Sequence, residues 1–287
     1  MANPKVLTVL AMLAFAANPL ICRLALGQQL IDAASFTFVR IFSGAATLAL
    51  IMLPRWRKRR RASIDWWSVA ALFTYMVFFS FAYRSLSAST GTLLLFAAVQ
   101  FTMFMAAMRD GESLTTFSWL GFSLAVIGVI YLVSPGITAP DPLGAFLMIV
   151  AGAAWGAYSS LGRGAADPLE STAINFIYSV PLAIFVALLF MNDAYYTHSG
   201  LILAAASGAI ASGLGYAVWY AALKSLTASR AATVQLSVPT IAACGGIIFL
   251  SEPITVRLIV ASALTLGGIA MVLAQRPKAV ACSTQGE

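Results

Sequence analysis

The sequence predicts an all-α integral membrane protein with ten transmembrane helices, arranged as two inverted five-helix repeats around a central cavity. Three observations lead to this fold class: a strongly apolar composition, ten apolar runs of membrane-spanning length, and a polar motif that recurs at a fixed offset. The segments between the runs are too short to form a separate soluble domain.

The composition places most of the chain in an apolar environment. Of its 287 residues, 61% are hydrophobic and 9% are charged, and the mean hydropathy is +0.90. A soluble domain carries roughly a quarter charged residues, so we expect lipid to cover much of the surface. The net charge of +7 is concentrated in a basic cluster at residues 55–61, between two apolar runs. This distribution indicates a cytoplasmic loop and not a nucleic-acid surface.

A helix needs about 20 residues to cross the hydrocarbon core. Apolar runs between polar, proline or glycine breaks predict ten such helices, numbered here in chain order. They lie at residues 6–26, 33–53, 66–82, 88–107, 115–133, 143–161, 172–190, 200–220, 229–249 and 256–274. The first run lacks a distinct small-residue cleavage site, so it is interpreted as a span and not as a signal peptide.

The basic residues predict the orientation. With both termini in the cytoplasm, all of the 17 lysines and arginines except Arg23, Arg40, Arg84 and Arg257 fall in cytoplasmic segments. The opposite orientation would put the 55–61 cluster outside, against the positive-inside rule. We therefore expect a multi-pass protein of a bacterial-type inner membrane with cytoplasmic termini.

Matches at one ungapped offset of 140 residues indicate an internal duplication. The segment Ser85–Ser89 (SLSAS) recurs as Ser225–Ser229 (SLTAS), and an E-x-x-T motif at 112–115 recurs at 252–255. Each unit has five helices, an odd number, so the second copy would enter the membrane from the opposite side, as in transporters with inverted repeats. The two predicted units and the cytoplasmic tail are residues 1–137, 138–276 and 277–287.

Short motifs follow the same order in both copies. In the first copy they are Ala17–Pro19, Phe38–Arg40, Gly111–Thr115, Leu120–Gly121 and Gly128, and in the second Ala154–Gly156, Pro239, Ser251–Thr255 and Gly267–Gly268. Together they resemble the drug/metabolite transporter (DMT) superfamily with EamA-type repeats, from about residue 6 to residue 274. Two positions depart from that pattern: Asn18 stands where the family often has a Trp-Gly pair, and Tyr178 lies near the place of the helix-2 arginine in the second copy.

The resemblance implies a bundle with a central cavity lined by helices 1, 3, 4, 6, 8 and 9, and export of metabolites. Within the superfamily, the chain is most similar overall to bacterial aromatic amino-acid exporters of the YddG type. The expected partners are a small-molecule substrate and membrane lipid, with no nucleic acid, and a monomer is compatible with the sequence.

The predicted spans contain no His/Cys cluster that could hold a metal and no acidic residue that could couple transport to an ion. The three cysteines are isolated and the one histidine is His198, so neither a metal site nor a disulfide framework is predicted. We expect no cofactor. All ten acidic residues fall at loops or helix ends. Coupled carriers usually place an ionisable group or a broken helix at the ion site, so we expect facilitated diffusion or exchange.

Aromatic rings and amides inside the spans are the candidate substrate-binding residues. They are Asn18, Tyr75, Phe79, Tyr83, Gln100, Trp155, Tyr158, Tyr216, Trp219 and Gln235. A mid-span amide must hydrogen-bond to the protein or to water in a cavity. For the rings, ordinary helix packing or an interfacial belt is the alternative. A neutral, aromatic site suits a zwitterionic amino acid with an apolar side chain.

Three charged residues inside or beside the spans need separate explanations. Arg40 lies about 10 Å into helix 2, where an arginine costs at least ~2.5 kcal/mol without a partner or water. It could attract a substrate carboxylate, but we favour a side chain that snorkels outward or ties helix-end carbonyls. Glu112 and Glu252 are expected to lie at the positive ends of helices 5 and 10, with Thr115 and Thr255 as N-caps.

The leading functional hypothesis is a non-enzymatic exporter of aromatic or other neutral amino acids and related metabolites, working by alternating access. A multidrug or quaternary-ammonium exporter is the alternative within transport, using cation–π contacts, although no cavity carboxylate is predicted. A membrane-embedded enzyme or sensor is the alternative from another class. Against this alternative, the sequence shows no nucleophile–base pair, no set of metal ligands and no soluble signalling module.

Overall fold

A computed structural model describes residues 3–57, 63–109, 115–162, 165–226, 231 and 234–274. Ten long helices follow one another within these residues. They are α1 (Pro4–Gly27), α2 (Ala33–Trp56), α3 (Trp66–Ala82), α4 (Ala88–Arg109), α5 (Thr116–Val133), α6 (Pro142–Leu161), α7 (Pro168–Leu189), α8 (His198–Leu223), α9 (Ser237–Leu250) and α10 (Val256–Ala274). A short 3₁₀ turn, Met191–Asp193, follows α7.

Each predicted span corresponds to one of these helices, which confirms the all-α membrane fold class for the described residues. Eight helices are long and apolar enough to cross a membrane, whereas α3 and α9 are apolar but shorter, with 17 and 14 residues. The predicted ninth span, 229–249, starts earlier than α9. Part of that start lies outside the described residues, and a turn at Leu236 precedes α9.

Aspartates begin four of the helices. Asp32, Asp65, Asp141 and Asp167 are the N-caps of α2, α3, α6 and α7, and each carboxylate accepts a hydrogen bond from a backbone N–H of the first turn. These N–H groups have no partner within the helix, so the carboxylates stabilise the helix starts. The prediction that these acids lie at helix ends is confirmed.

The helices pack across the two halves of the chain. α5 packs along α10, and α2 packs along α7. α6 contacts both α3 and α4, while α1 contacts both α8 and α9. The buried core therefore forms largely where first-half helices meet second-half helices.

Small residues allow the α5–α10 pair to approach closely. A Cβ atom on Gly268 would meet the backbone of Gly121 and Ala125, and one on Gly128 would meet Thr265. Helices in lipid associate through such close van der Waals contacts, because burial of apolar surface gives little gain there. These glycines therefore fix the distance between the two helices.

The middle of α8 widens into a π-helical stretch, Ser207–Leu214, which the sequence did not predict. Gly208 in this stretch lies against α2, where a Cβ atom would meet the carbonyl oxygen of Arg40 and the hydroxyl of Ser43. Stretches of this kind occur frequently at functional sites. Here the stretch brings Ala211 and Ser212 to the cavity described below.

One end of the bundle is joined by its loops, and we call it the closed end. The backbone N–H of Thr197 donates to the Leu30 carbonyl at 2.8 Å, and that of Asp32 donates to the Tyr195 carbonyl at 2.9 Å. These bonds connect the α1–α2 loop to the α7–α8 loop. The α3–α4 and α9–α10 connections lie at the same end, since Arg23, near the end of α1, contacts the carbonyls of Tyr83 and Arg84 and the carboxylate of Glu252.

Candidate substrate cavity

The described helices surround a cavity of about 410 Å³. Small-molecule sites typically measure about 300–1,000 Å³. The walls come from α1, α3, α4, α6, α7, α8 and α9, with Ala231 and Gln235 just before α9. The family resemblance implied that all of these helices except α7 line the cavity, and the structure adds α7.

The cavity reaches only one end of the bundle. Its lining runs from Pro19, Phe79 and Thr92 in the interior to Gly162 and Ala165 in the α6–α7 connection. No described residue of the closed-end loops borders it. We call the end at the α6–α7 connection the open end.

Trp155 lies at the centre of an aromatic cluster in the cavity wall. Its ring centroid lies 4.8 Å from that of Tyr75, 5.4 Å from Tyr158 and 5.6 Å from Tyr216. Trp155 and Tyr158 share one face of α6 because they are three residues apart. Aromatic pairs at such distances contribute about 0.5–1.5 kcal/mol each beyond the area that they bury.

A chain of hydroxyl and amide groups forms a polar part of the wall. The Thr172 hydroxyl lies 3.0 Å from the hydroxyls of both Tyr158 and Tyr220, and Asn175 Nδ2 donates to the Tyr158 hydroxyl at 3.4 Å. All four residues line the cavity. Their oxygen atoms offer hydrogen-bond acceptors to a donor group such as an ammonium.

Asn18 connects α1 to the π-helical stretch of α8. Its Oδ1 accepts a hydrogen bond from the Ser207 hydroxyl at 2.6 Å and a weaker one from the Cys22 thiol at 3.7 Å. The expectation that this mid-span amide hydrogen-bonds within the protein is confirmed. Asn18 also lines the cavity.

No charged side chain lines the cavity among the residues that the structure describes. In the same part of the chain, no group of three His, Cys, Asp or Glu residues is placed to hold a metal ion. Among the described residues, Arg40 is a fully buried charge behind the wall, where its guanidinium bonds to the cavity-lining Tyr75.

Arg40 does not snorkel outward, so the favoured interpretation of this residue is wrong. Its side chain is fully buried, and the guanidinium carbon lies 4.8 Å from the ring centroid of Phe79 and 5.5 Å from that of Tyr75. Arg40 Nη2 donates to the Tyr75 hydroxyl at 3.2 Å, whereas Nε and Nη1 have no hydrogen-bond partner among the described residues. Close packing of α2 against α7 and α8 closes the outward route.

Eight of the ten predicted site residues line the cavity: Asn18, Tyr75, Phe79, Trp155, Tyr158, Tyr216, Trp219 and Gln235. Their contact with substrate stays a prediction. Tyr83 is instead fully buried, with its hydroxyl 3.2 Å from that of Thr92. Gln100 borders a separate cavity of about 20 Å³ between α4, α5 and α10, because it is turned by about 100° from the cavity-lining Val99.

Several cavity residues were missed by reasoning from the sequence, namely Phe15, Thr92, Thr172, Asn175 and Ser212. Asn175 could have been found, because it is an amide inside a predicted span. The hydroxyl residues carry no such signal. Ser and Thr often bond to their own helix backbone, as Thr92 does to the Ala88 carbonyl.

Glu252 caps a different helix from the expected one. Its carboxylate accepts hydrogen bonds from the backbone N–H of Ala88 at 2.6 Å and from the Ser89 hydroxyl at 3.1 Å, at the start of α4. It also lies 3.9 Å from Arg23 Nε. Glu252 was predicted to lie at the positive end of helix 10, and this placement is wrong, because its carboxylate caps α4. Glu112 lies outside the described residues.

The two predicted threonine caps are confirmed. The Thr115 hydroxyl oxygen accepts from the Ser118 N–H at 3.2 Å, and the Thr255 hydroxyl oxygen accepts from the Leu258 N–H at 3.1 Å. They stand before α5 and α10, which are the helices that the sequence assigned to them.

A bundle of apolar helices around a cavity is an architecture that membrane transporters have, and comparison with known proteins agrees. The EamA-like transporter family matches the chain twice, at residues 5–134 and 142–274. The chain belongs to this family, which confirms the predicted superfamily membership.

Three relatives and one solved structure illustrate the similarity. An uncharacterized protein of Pseudomonas aeruginosa is 50% identical over 270 residues, covering 94% of each chain. Threonine/homoserine exporter RhtA of Escherichia coli (strain K12) is 26% identical over 234 residues, 79% of this chain and 77% of RhtA. The uncharacterized transporter YoaV of Bacillus subtilis is 20% identical over 249 residues, 82% and 85% of the two chains. A crystal structure matches with a TM-score of 0.66 at 18% identity, over 95% of this chain and 98% of the other. That match shows the fold alone.

Proposed function

We propose that this transporter exports neutral amino acids, aromatic ones included, and related metabolites by alternating access. The observation that carries the proposal is an aromatic cavity that reaches only one end of the bundle and that has no charged side chain among its described lining residues. Rings such as Trp155 suit an apolar side chain, and the hydroxyl of Thr172 and the amide of Asn175 suit an ammonium. Membership of a transporter family and the distant similarity to an amino-acid exporter support the class.

The bundle is proposed to consist of two inverted five-helix repeats, residues 1–137 and 138–276. Two separate matches to one family support the duplication. The helix contacts are consistent with a pseudo-twofold axis, because α6 on α3 and α4 corresponds to α1 on α8 and α9 under the 140-residue offset. Movement of one repeat against the other would then expose the cavity to alternate sides.

The open end is proposed to face the cytoplasm of a bacterial-type inner membrane, with both termini on that side. Arg55, in the basic cluster, pairs with Asp167 at 3.1 Å, and Trp56 Nε1 donates to Glu170 at 2.8 Å. These contacts put Arg55 and Trp56 beside the α6–α7 connection, where the cavity opens. The positive-inside rule assigns that end to the cytoplasm, where an exporter takes up its substrate.

Reconstitution in liposomes tests the proposed function. Purified protein is placed in liposomes preloaded with labelled L-phenylalanine or L-threonine, and efflux down the gradient is compared with that from protein-free liposomes. We expect faster efflux that unlabelled neutral amino acids inhibit. Absence of protein-dependent efflux for any neutral or aromatic amino acid would overturn the proposal.

Two further arms of the same experiment test the mechanism and the alternative substrate class. A protonophore should leave the efflux rate unchanged, because no described acidic residue lines the cavity. A requirement for a proton gradient would contradict uncoupled transport. Efflux of a quaternary-ammonium dye that amino acids fail to inhibit would favour cation export instead.

A further inference from the structure

Arg40 is bonded differently from the other arginines near the closed end. Arg257 donates to the carbonyls of Leu132 and Ser134, and Arg23 donates to the carbonyls of Tyr83 and Arg84. These side chains tie connections together, as a structural arginine does. Arg40 reaches no described carbonyl or carboxylate, and its one hydrogen bond goes to a tyrosine hydroxyl.

The guanidinium keeps its charge in this position. An arginine is not deprotonated in proteins, and a buried charge is costly unless it is paired. The rings of Phe79 and Tyr75 offer cation–π contact, which compensates only part of that cost. The site thus holds a positive charge whose counter-charge is absent from the described residues.

Tyr75 connects this charge to the cavity. Tyr75 lines the cavity and its ring packs at a tilt against Trp155, while its hydroxyl oxygen accepts the hydrogen bond from Arg40 Nη2. An oxygen that accepts from a cation directs its own hydrogen elsewhere and becomes a stronger donor, because neighbouring hydrogen bonds polarise one another. Among the described residues, this hydroxyl donates to no other group.

We propose that Tyr75 and Arg40 form the carboxylate-recognition subsite of the cavity, with the Tyr75 hydroxyl as the direct donor and Arg40 as the positioning residue behind it. This inference rests on the proposed function and specifies the substrate class, namely molecules that pair an apolar group with a carboxylate. The ammonium of an amino acid would then lie toward the Thr172 hydroxyl and the Asn175 amide on α7. A quaternary-ammonium ion would be disfavoured by the same charge.

Binding of matched acids and amides to the full-length purified protein tests the subsite. The probes are 3-phenylpropionate with 3-phenylpropionamide, and L-phenylalanine with its amide, and binding is followed by the ligand-dependent rise in melting temperature. Each pair differs in the carboxylate and keeps the ring. We expect the wild-type protein to bind each acid at least about tenfold more tightly than its amide, as a lost hydrogen bond to a charged group implies.

Two variants assign the preference to named side chains. Arg40→Gln removes the charge, and Tyr75→Phe removes the hydroxyl while keeping the ring and its packing. Both should reduce the acid-over-amide ratio to about twofold or less, whereas Arg257→Gln, which removes an arginine remote from the cavity, should leave the ratio unchanged. Tyr75→Phe keeps the test decisive if Arg40→Gln does not fold. A purely structural arginine would change stability without changing this ratio.

The outcomes separate this inference from the proposed function. Equal binding of acid and amide by the wild-type protein, or an unchanged ratio in Tyr75→Phe, would overturn the subsite even if liposomes show amino-acid efflux. A carboxylate preference that both variants abolish would support the subsite, and would do so even without efflux of any amino acid. In that case the proposed function alone would fail.

Discussion

Trp155 joins aromatic walls that come from both halves of the chain. Tyr75 on α3 and Tyr216 on α8 both contact its indole, and Tyr158 follows it on α6. The indole is only partly buried and borders the cavity. A bound ring could therefore add to the cluster without displacing any of its members.

Replacement of Trp155 by alanine is expected to weaken substrate binding more than it slows turnover. The change removes the central ring and its contacts with the neighbouring tyrosines. The half-saturation concentration for L-phenylalanine in liposome counterflow should therefore rise on the order of tenfold. Trp119→Ala is the matched control, because Trp119 is a tryptophan on α5 that is about half exposed, at 46%, and does not line the cavity. Equal effects of the two changes would contradict a substrate-facing role for Trp155.

The sequence does not reveal which side of each helix faces the cavity. Mid-span rings and amides pointed to Asn18, Trp155 and Gln235, which do line the cavity, but the same reasoning included Gln100, which does not. A helix surrounded by lipid and other helices is apolar on all sides, so its hydrophobic pattern does not identify the face that turns inward. The burial of Arg40 could not be predicted for the same reason.

At the scale of helices, hydropathy missed start signals that the side chains carry: the predicted spans began at 143 and 172, whereas α6 and α7 begin at Pro142 and Pro168. Aspartate caps and a following proline begin α6 and α7, at Asp141–Pro142 and Asp167–Pro168, and both residue types favour a helix start. The π-helical stretch of α8 has no comparable signal, because its glycines are equally compatible with an ordinary α-helix in close contact.

Two adjacent glycines on α10, Gly267 and Gly268, allow a test of the α5–α10 contact. A Cβ atom on Gly268 would clash with the backbone of α5, whereas one on Gly267 would meet no atom within 4 Å. Gly268→Ala should therefore force the helices apart and lower the melting temperature of the purified protein by about 3–10 °C. Gly267→Ala should leave it unchanged or raise it slightly, because alanine has the higher helix propensity. A similar loss in both variants would show that helix distance at Gly268 does not limit stability.

For the whole molecule, the ten spans were predictable but the conformation was not. Span number and position follow from hydropathy and length, which are properties of each segment alone. The end at which the cavity opens depends on a small free-energy difference between arrangements of the same helices. The structure has one end joined by loop–loop bonds and by Glu252 at the start of α4, and a cavity that reaches the other.

Loss of the Glu252 carboxylate should therefore favour opening of the closed end. Glu252→Gln weakens the cap of α4 and the ion pair with Arg23, by about 1–2 kcal/mol, or roughly a fivefold to thirtyfold shift in population. The shift is measured on a Thr92→Cys variant in which the native cysteines are serines, as the rate of labelling by an impermeant thiol reagent added from the closed-end side. Asp65→Asn is the control, because Asp65 is a carboxylate cap on α3 at the open end. Labelling that stays unchanged in Glu252→Gln, or rises equally in Asp65→Asn, would show that the Glu252 contacts do not hold the closed end together.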